Sequence, residues 1–391
     1  MISALQPNRV RRTYLGGGRI DAFCGGDRVF RGGSDRVVRD DSDRVVRGGS
    51  EYPKDAKGPV DPKDSTDPVG PKDSNSLPTP EDWMASTVTA FNGKDEIEGE
   101  GLGRLADGRL VKDVVGSLPV LVKLLDSDER LVIQAHPTVP FAKARMNSPV
   151  GKTECWYFLP GTAPDACVYL GFKPGITREK WVTAFNETNA VDGAQRQSTA
   201  FDGSRQQLNN TLITWLHRIP VKPGDFVFVD GGVLHAIGGG CFMIELQEPS
   251  DLMVVAERFT PSGREIPEAK LHGGLGFEGM FDVYAYEGLT FDEICARYVR
   301  RGEAAPYPGR LAPQSPTGPR QILGPDLTDK FSEWLLKDGE SLALPRDRGV
   351  AVVTEGVGDL NGVAVRKGDR LVFADERELK LTGKAEVVVC A

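Results

Sequence analysis

A mainly β architecture of the sandwich or barrel type, interrupted by a helical lobe, is what this 391-residue sequence predicts. Three observations point to it. From residue 78 onward, short apolar runs are bounded by Gly, Pro and Asp: LPVLVKLL (118–125), RLVIQAH (130–136), ECWYFL (154–159), CVYLGF (167–172), DFVFVDG (225–231) and CFMIELQ (241–247). Many short strands with turn residues between them suit a closed or double-layered β structure. Between 174 and 218 the apolar period changes to a helical one, and after 300 the strand pattern resumes in GVAVVTEG, DRLVFA and AEVVVC, which predicts a second, smaller all-β unit.

Taken in chain order, the first distinctive segment is 26–77. Residues 27–50 read DRVFRGGS, DRVVRDDS and DRVVRGGS, three octapeptides in tandem, followed by a tract with PKD at 53–55, 62–64 and 71–73. So few apolar side chains cannot offset the entropy of ordering the chain, so the segment is expected to be a flexible insertion. Its alternating charges leave open a partner-binding role. In the helical lobe, TREKWVTAFNET offers Thr177 as an N-cap, and SRQQLNNTLITWLHRI spaces Leu208, Leu212, Trp215 and Leu216 on one helical face. A further helix is signalled at 290–300, where Thr290 and Glu293 form a capping box ahead of ICARYV.

Composition narrows the function classes. The net charge of −8 and the lack of a membrane-length apolar run argue against a general nucleic-acid binder and a bilayer protein. An anionic small molecule would need a local basic pocket. The six cysteines are scattered without a C-x-x-C pair, as expected for reduced thiols that pack as small hydrophobes. The first residues lack a charged start followed by an apolar stretch, so no secretory signal is read and a cytoplasmic location is expected. Oligomeric state is left open.

The chemistry concentrates at a few positions. In a strand, side chains two apart share a face, so Gln134 and His136 project together with Val132, while Ile133 and Ala135 face the other way. Glu154 opens the strand of GKTECWYFL, and His235 follows the glycine-rich turn of GDFVFVDGGVLHAIGGG. A lone strand histidine is most often a hydrogen-bonded core residue. The set of imidazoles, carboxylate and amide suits a divalent transition metal, zinc first, with room for substrate or water. The spacing Gly224, five residues, Asp230-Gly231-Gly232, two residues, His235 resembles the second signature of cupins, with Asp230 where the turn's usual proline stands.

Read together, LVKLLDSDERLVIQAHP, GKTECWYFL, PGDFVFVDGGVLHAIGGG and IELQEPSD, in this order, resemble type I mannose-6-phosphate isomerases over roughly 78–290. NRVRRTYLGGGRIDAF (8–23) is similar to the family's opening strands. The resemblance implies a cupin jelly-roll catalytic domain formed by 1–25 and 78–290, carrying a helical lobe at about 174–218 and the insertion 26–77. It also implies a C-terminal cupin-like domain at 291–391. That unit's KGDRLVFADERELKLTG has the strand-turn outline without a histidine and is expected to be metal-free.

By the same resemblance, Gln134, His136, Glu154 and His235 match zinc ligands for one Zn2+ per chain, and Lys123 and Lys152 match active-site lysines. The implied reaction interconverts mannose 6-phosphate and fructose 6-phosphate through a cis-enediol. One departure stands out: where many members carry an arginine four residues after the Ser-Asp pair, this chain has Val255, and its nearest arginine is Arg258. Arg258, Ser86 and Thr87 are therefore the expected phosphate contacts. Glu245 and Gln247, alternating after the histidine turn, are expected either to orient ligands or to be polar strand ends. His217, read at a helix end, and His272, read in a loop, are left out of the site. The competing reading is a non-catalytic metal-binding or sugar-phosphate-sensing cupin. A cupin oxygenase would more commonly carry H-x-H than the Q-x-H found here.

Overall fold

The computed structural model describes residues 1–25, 78–92, 97–189, 211–302 and 318–391. The repeat segment at 26–77 and Leu208 lie outside them. The described residues are mainly β, in antiparallel sheets.

Two sheets carry the sequence motifs of the central region. A seven-stranded sheet runs in the order Val299–Arg300, Phe226–Val229, Glu154–Phe158, Cys241–Gln247, Leu121–Ser127, Glu81–Met84, Arg9–Val10. A five-stranded sheet runs Val254–Val255, Gln134–Ala135, His235–Ile237, Cys167–Phe172, Leu216–Pro220. Side chains from the two sheets meet in one apolar cluster, Val168, Leu170 and Ile237 from the smaller with Trp156, Phe158 and Val227 from the larger.

The long strands Leu121–Ser127 and Cys241–Gln247 are buried at every position. A half-solvated sheet would alternate; these strands are covered on both faces. The second cover is the C-terminal unit. Its nine-stranded sheet includes, in order, Ile2–Ala4, Arg370–Ala374, Arg348–Leu360, Ala385–Cys390, Glu333–Lys337 and Arg320–Leu323. Along Arg348–Leu360, Val350 and Val352 join the core shared with Cys155 and Tyr157, whereas Ala351 and Val353 pack with Phe373, Leu379 and Leu381 in the unit's own interior. The period-two alternation of that strand thus fills two cores at once.

Several expectations change. The apolar run 130–136 is strand only over Gln134–Ala135, because its partners are the short strands Val254–Val255 and His235–Ile237. Ile2–Ala4 pairs with Arg370–Ala374, so the first strand belongs to the C-terminal sheet, and Arg19–Cys24 is a helix. At the other boundary, Val299–Arg300 pairs with Phe226–Val229 and so extends the seven-stranded sheet past residue 290. Leu216, expected on a helical face with Leu212, begins the strand Leu216–Pro220. His217 consequently sits in that strand, buried, with Nε2 donating to Leu289 O at 2.8 Å, and not at a helix end.

The helix Arg178–Asn189 does start after Thr177, whose hydroxyl accepts from Lys180 N at 3.3 Å. The Thr290–Glu293 capping box opens the helix Phe291–Tyr298. No helix of the described residues is long and apolar enough to cross a membrane.

Candidate metal centre and its cavity

His136 and His235 stand on the smaller sheet's side and Glu154 on the first residue of its strand in the larger sheet, so the site bridges the two layers. His136 Nε2 lies 3.2 Å from Glu154 Oε2, and His235 Nε2 lies 3.3 Å from Glu154 Oε1. All three side chains are at most 1 % exposed. Gln134 is paired across from His235 in the sheet register and lines the adjoining cavity.

The tautomers follow from the backbone. His136 Nδ1 is 2.9 Å from Leu252 O and His235 Nδ1 is 2.9 Å from Val233 O. A carbonyl only accepts, so each Nδ1 carries the proton and each neutral ring aims its Nε2 lone pair toward Glu154. The rings are neutral because burial lowers His136 to about 3, with Lys152 adding to the shift against the pull of Glu154. Burial lowers His235 as well. The lone pair of His136 meets the Lys152 ammonium, whereas that of His235 faces Glu154 Oε1 with no proton between them, a contact that repels unless a cation stands there. His235 Nε2 has no hydrogen-bond partner. Among the described residues this is the group of His, Cys, Asp and Glu whose ligand atoms converge, all within 4.8 Å. The donor set therefore fits a divalent cation, with imidazole nitrogens and a carboxylate as transition-metal ligands.

Beside the centre, Lys152 Nζ donates to His136 Nε2 at 3.0 Å and lies 3.1 Å from Glu154 Oε2. Burial works against its charge, but Glu154, Glu245 and Asp251 outweigh burial and raise its pKa. Lys123 Nζ donates to Glu245 Oε1 at 3.2 Å. Glu245 is held between the two lysines, with Lys152 Nζ at 3.8 Å. Burial pushes its carboxyl up to about 7, the lysines pulling it down and Glu154 pushing it further up. A carboxyl that titrates near neutrality in a cavity is suited to moving protons. Gln247 lies opposite Glu154 in register and donates to Glu248 O and Ser250 O, leaving its buried Oε1 without a hydrogen-bond partner.

The cavity has residues that the sequence motifs did not announce. Arg12 reaches it from the chain start and is pinned by Glu81 (Nε to Oε2, 3.0 Å) and Asp251 (Nη2 to Oδ1, 3.1 Å). Burial opposes the charge of Glu81, but Arg12 and Lys123 outweigh it and hold the carboxyl at about 2. Lys270 lines the cavity too, with its ammonium donating to Asn92 Oδ1 at 3.2 Å.

Val255 lines the same space, whereas Arg258 does not; its Nη1 approaches Glu268 Oε2 at 4.0 Å. A step of three residues does not return a side chain to the face it left. Ser86 and Thr87 are also outside the cavity lining: Ser86 Oγ is bonded locally to Val88 O, and Thr87 Oγ1 accepts from Leu118 N. The cations that line the cavity beside Lys123 and Lys152 are Arg12 and Lys270. His272 ends the helix Glu268–His272 and is not one of the converging groups.

No family model matches the chain. Over 133 residues it is 35% identical to the mannose-6-phosphate isomerase ManA of Bacillus subtilis, a match covering 34% of this chain and 35% of that protein. It is 31% identical over 133 residues to the mannose-6-phosphate isomerase of Streptococcus mutans, covering 34% of each. The match spans about a third of the length of these curated relatives. Among solved structures, the crystal structure of the mannose 6-phosphate isomerase from Bacillus subtilis superposes with a TM-score of 0.61 at 18% identity, over 100% of this chain and 99% of that one. A zinc-bound mannose 6-phosphate isomerase superposes with a TM-score of 0.53 at 14% identity, over 80% of this chain and 91% of that one. At these identities the likeness is one of fold.

Proposed function

We propose that the chain is a zinc-dependent aldose–ketose isomerase interconverting mannose 6-phosphate and fructose 6-phosphate. The observation that carries this reading is the convergence of two imidazole Nε2 atoms, that of His235 without a hydrogen-bond partner, on Glu154 at the edge of a cavity lined by Lys123, Lys152 and Glu245. The names of the partial-length relatives and of the fold neighbours support the same substrate.

His136, Glu154, His235 and Gln134 would hold the ion, whose contribution is Lewis-acid stabilisation of charge developing on the sugar's reacting oxygens. The reaction removes a proton from the carbon next to a carbonyl and returns it to the neighbouring carbon, through a cis-enediol. Glu245, with a pKa of about 7, is the group suited to carry that proton. Lys123 and Lys152 flank it and supply positive charge where oxygen becomes negative. For the phosphate, Lys270 is the proposed contact in place of Arg258. Arg12, held by two carboxylates, shapes the same end of the cavity.

The test is a coupled assay of mannose 6-phosphate conversion with and without chelator. Turnover that disappears with chelator and returns with Zn2+ is the expected result, and His136→Ala with His235→Ala should abolish both ion retention and turnover. Turnover undiminished in the metal-depleted double variant sinks the metal-dependent reading. Tight zinc binding without turnover identifies a non-catalytic binding cupin instead, the reading that Val255 in the cavity wall favours.

A further inference from the structure

The two residues flanking Glu154 are both gripped by side chains of the C-terminal unit. On one side, Lys330 Nζ donates to Thr153 Oγ1 at 2.5 Å and to Glu248 Oε2 at 2.9 Å. On the other, Cys155 Sγ faces the buried carboxyl of Glu333 at 3.9 Å. Lys330 and Glu333 are three residues apart, and Phe331 between them is buried in the core common to the two units.

The lysine's contacts extend to three strand ends of the seven-stranded sheet. Glu248 Oε2 also accepts from Thr153 N at 2.9 Å, and Glu248 N donates to Thr153 O at 3.0 Å, closing a ring between the end of Cys241–Gln247 and the start of Glu154–Phe158. Thr153 Oγ1, having accepted from Lys330, donates to Asp230 Oδ1 at 3.3 Å. Asp230 Oδ1 in turn accepts from Gly231 N at 3.0 Å, in the turn that delivers His235. One ammonium thus ties the backbone before Glu154 to the turn before His235.

We propose that Lys330 of the C-terminal unit is a positioning residue for the metal centre, holding Glu154 and His235 at their mutual distance through Thr153, Glu248 and Asp230. This rests on the metal-centre reading above. A side chain that touches no ligand atom acts by restricting where the ligand atoms sit, and loss of such outer contacts weakens metal sites by about 10-fold to 100-fold. The ammonium is 30% exposed but Glu248 only 8%, so removing the lysine leaves a buried carboxylate without its cation, and ion affinity is read on protein shown to be folded.

The test uses the full chain, stripped of metal and titrated with Zn2+ against a competing chromophoric chelator, for wild type, Lys330→Met, Lys330→Arg and, as a control on the same unit, Lys337→Met. The expected result is one ion per chain in wild type, an affinity at least 10-fold weaker and faster ion release in Lys330→Met, substantial recovery in Lys330→Arg, and no change in Lys337→Met. Should Lys330→Met fail to fold, Thr153→Val removes the relay hydroxyl and is read by the same titration. A wild type that binds the ion while the Lys330→Met or Thr153→Val variant binds and releases it equally overturns this proposal alone. Equal loss in Lys337→Met also overturns it. A wild type that retains no ion overturns the metal-centre reading and this proposal with it.

Discussion

Glu245 and Glu333 are both buried acids with raised pKa values, yet their neighbours give them different fates. Glu245 sits between two ammonium groups in a cavity and titrates at about 7. Replacing it with Gln should lower turnover by about 100-fold or more while leaving zinc bound, which is the usual scale for a general acid–base group. The acidic limb of the kcat/KM profile near pH 7 should vanish with it; a profile unchanged in shape would remove Glu245 from the proton transfer.

Glu333 faces two thiols, Cys155 and Cys390, and burial lifts it to about 8. The folded protein therefore holds this proton up to about pH 8, while the unfolded chain releases it above the ordinary value of 4.5. Stability must fall as pH rises between those values, by up to about 1.4 kcal/mol per pH unit from this group. Glu333→Gln has no such proton to lose. Its urea midpoint, measured against wild type at pH 5 and pH 8, should gain relative stability at the higher pH, and equal differences at both values would contradict the burial argument.

At the scale of elements, the glycine turn before His235 connects the two histidines. Gly232 N donates to His136 O at 2.7 Å, and Gly232 has φ of 89°, a backbone region that disfavours residues with a Cβ. A Cβ there would also approach Val283 O at 3.2 Å. Gly232→Ala should destabilise the protein by roughly 1 kcal/mol or more and weaken zinc binding more than Gly362→Ala, whose positive-φ turn has open space around it. Thermal midpoints and zinc titrations of the two variants make the comparison.

Motif-bearing elements were largely readable because alternation and capping are local. Cys167–Phe172 and Cys241–Gln247 coincide with their apolar runs, and the Thr290–Glu293 box opens its helix. The run 130–136 was less readable: apolar alternation sets the facing of Gln134 and His136, but strand length depends on how much partner backbone lies alongside. The same limit applies at Leu216, where a helical spacing of apolar residues gives way to pairing with Cys167–Phe172.

For the whole molecule, the units are stitched at both ends. Ile2–Ala4 pairs in the C-terminal sheet, Val299–Arg300 pairs in the seven-stranded sheet, and one apolar cluster runs from Phe228 through Cys155 to Val388. Arg370 of the C-terminal unit also pairs with buried Asp82 of the seven-stranded sheet. Such shared burial predicts a single cooperative transition. Denaturant unfolding followed by tryptophan fluorescence and by far-ultraviolet circular dichroism should give coincident curves; two separated transitions would show that the units unfold independently.

The sequence by itself singled out His136, Glu154 and His235, the mainly β class and the helix starts at Thr177 and Thr290, because each depends on residues close in the chain or on a motif whose spacing encodes a turn. Tertiary structure alone decided which further charges join Lys123 and Lys152 around those three side chains. Arg12 meets Asp251 across 239 residues, Lys270 meets Asn92 across 178, and Lys330 meets Thr153 across 177. Val255 and Arg258 are three residues apart, yet one lines the cavity and the other does not. Local periodicity orients a side chain relative to its own strand; only the packing of distant strands determines what that side chain faces.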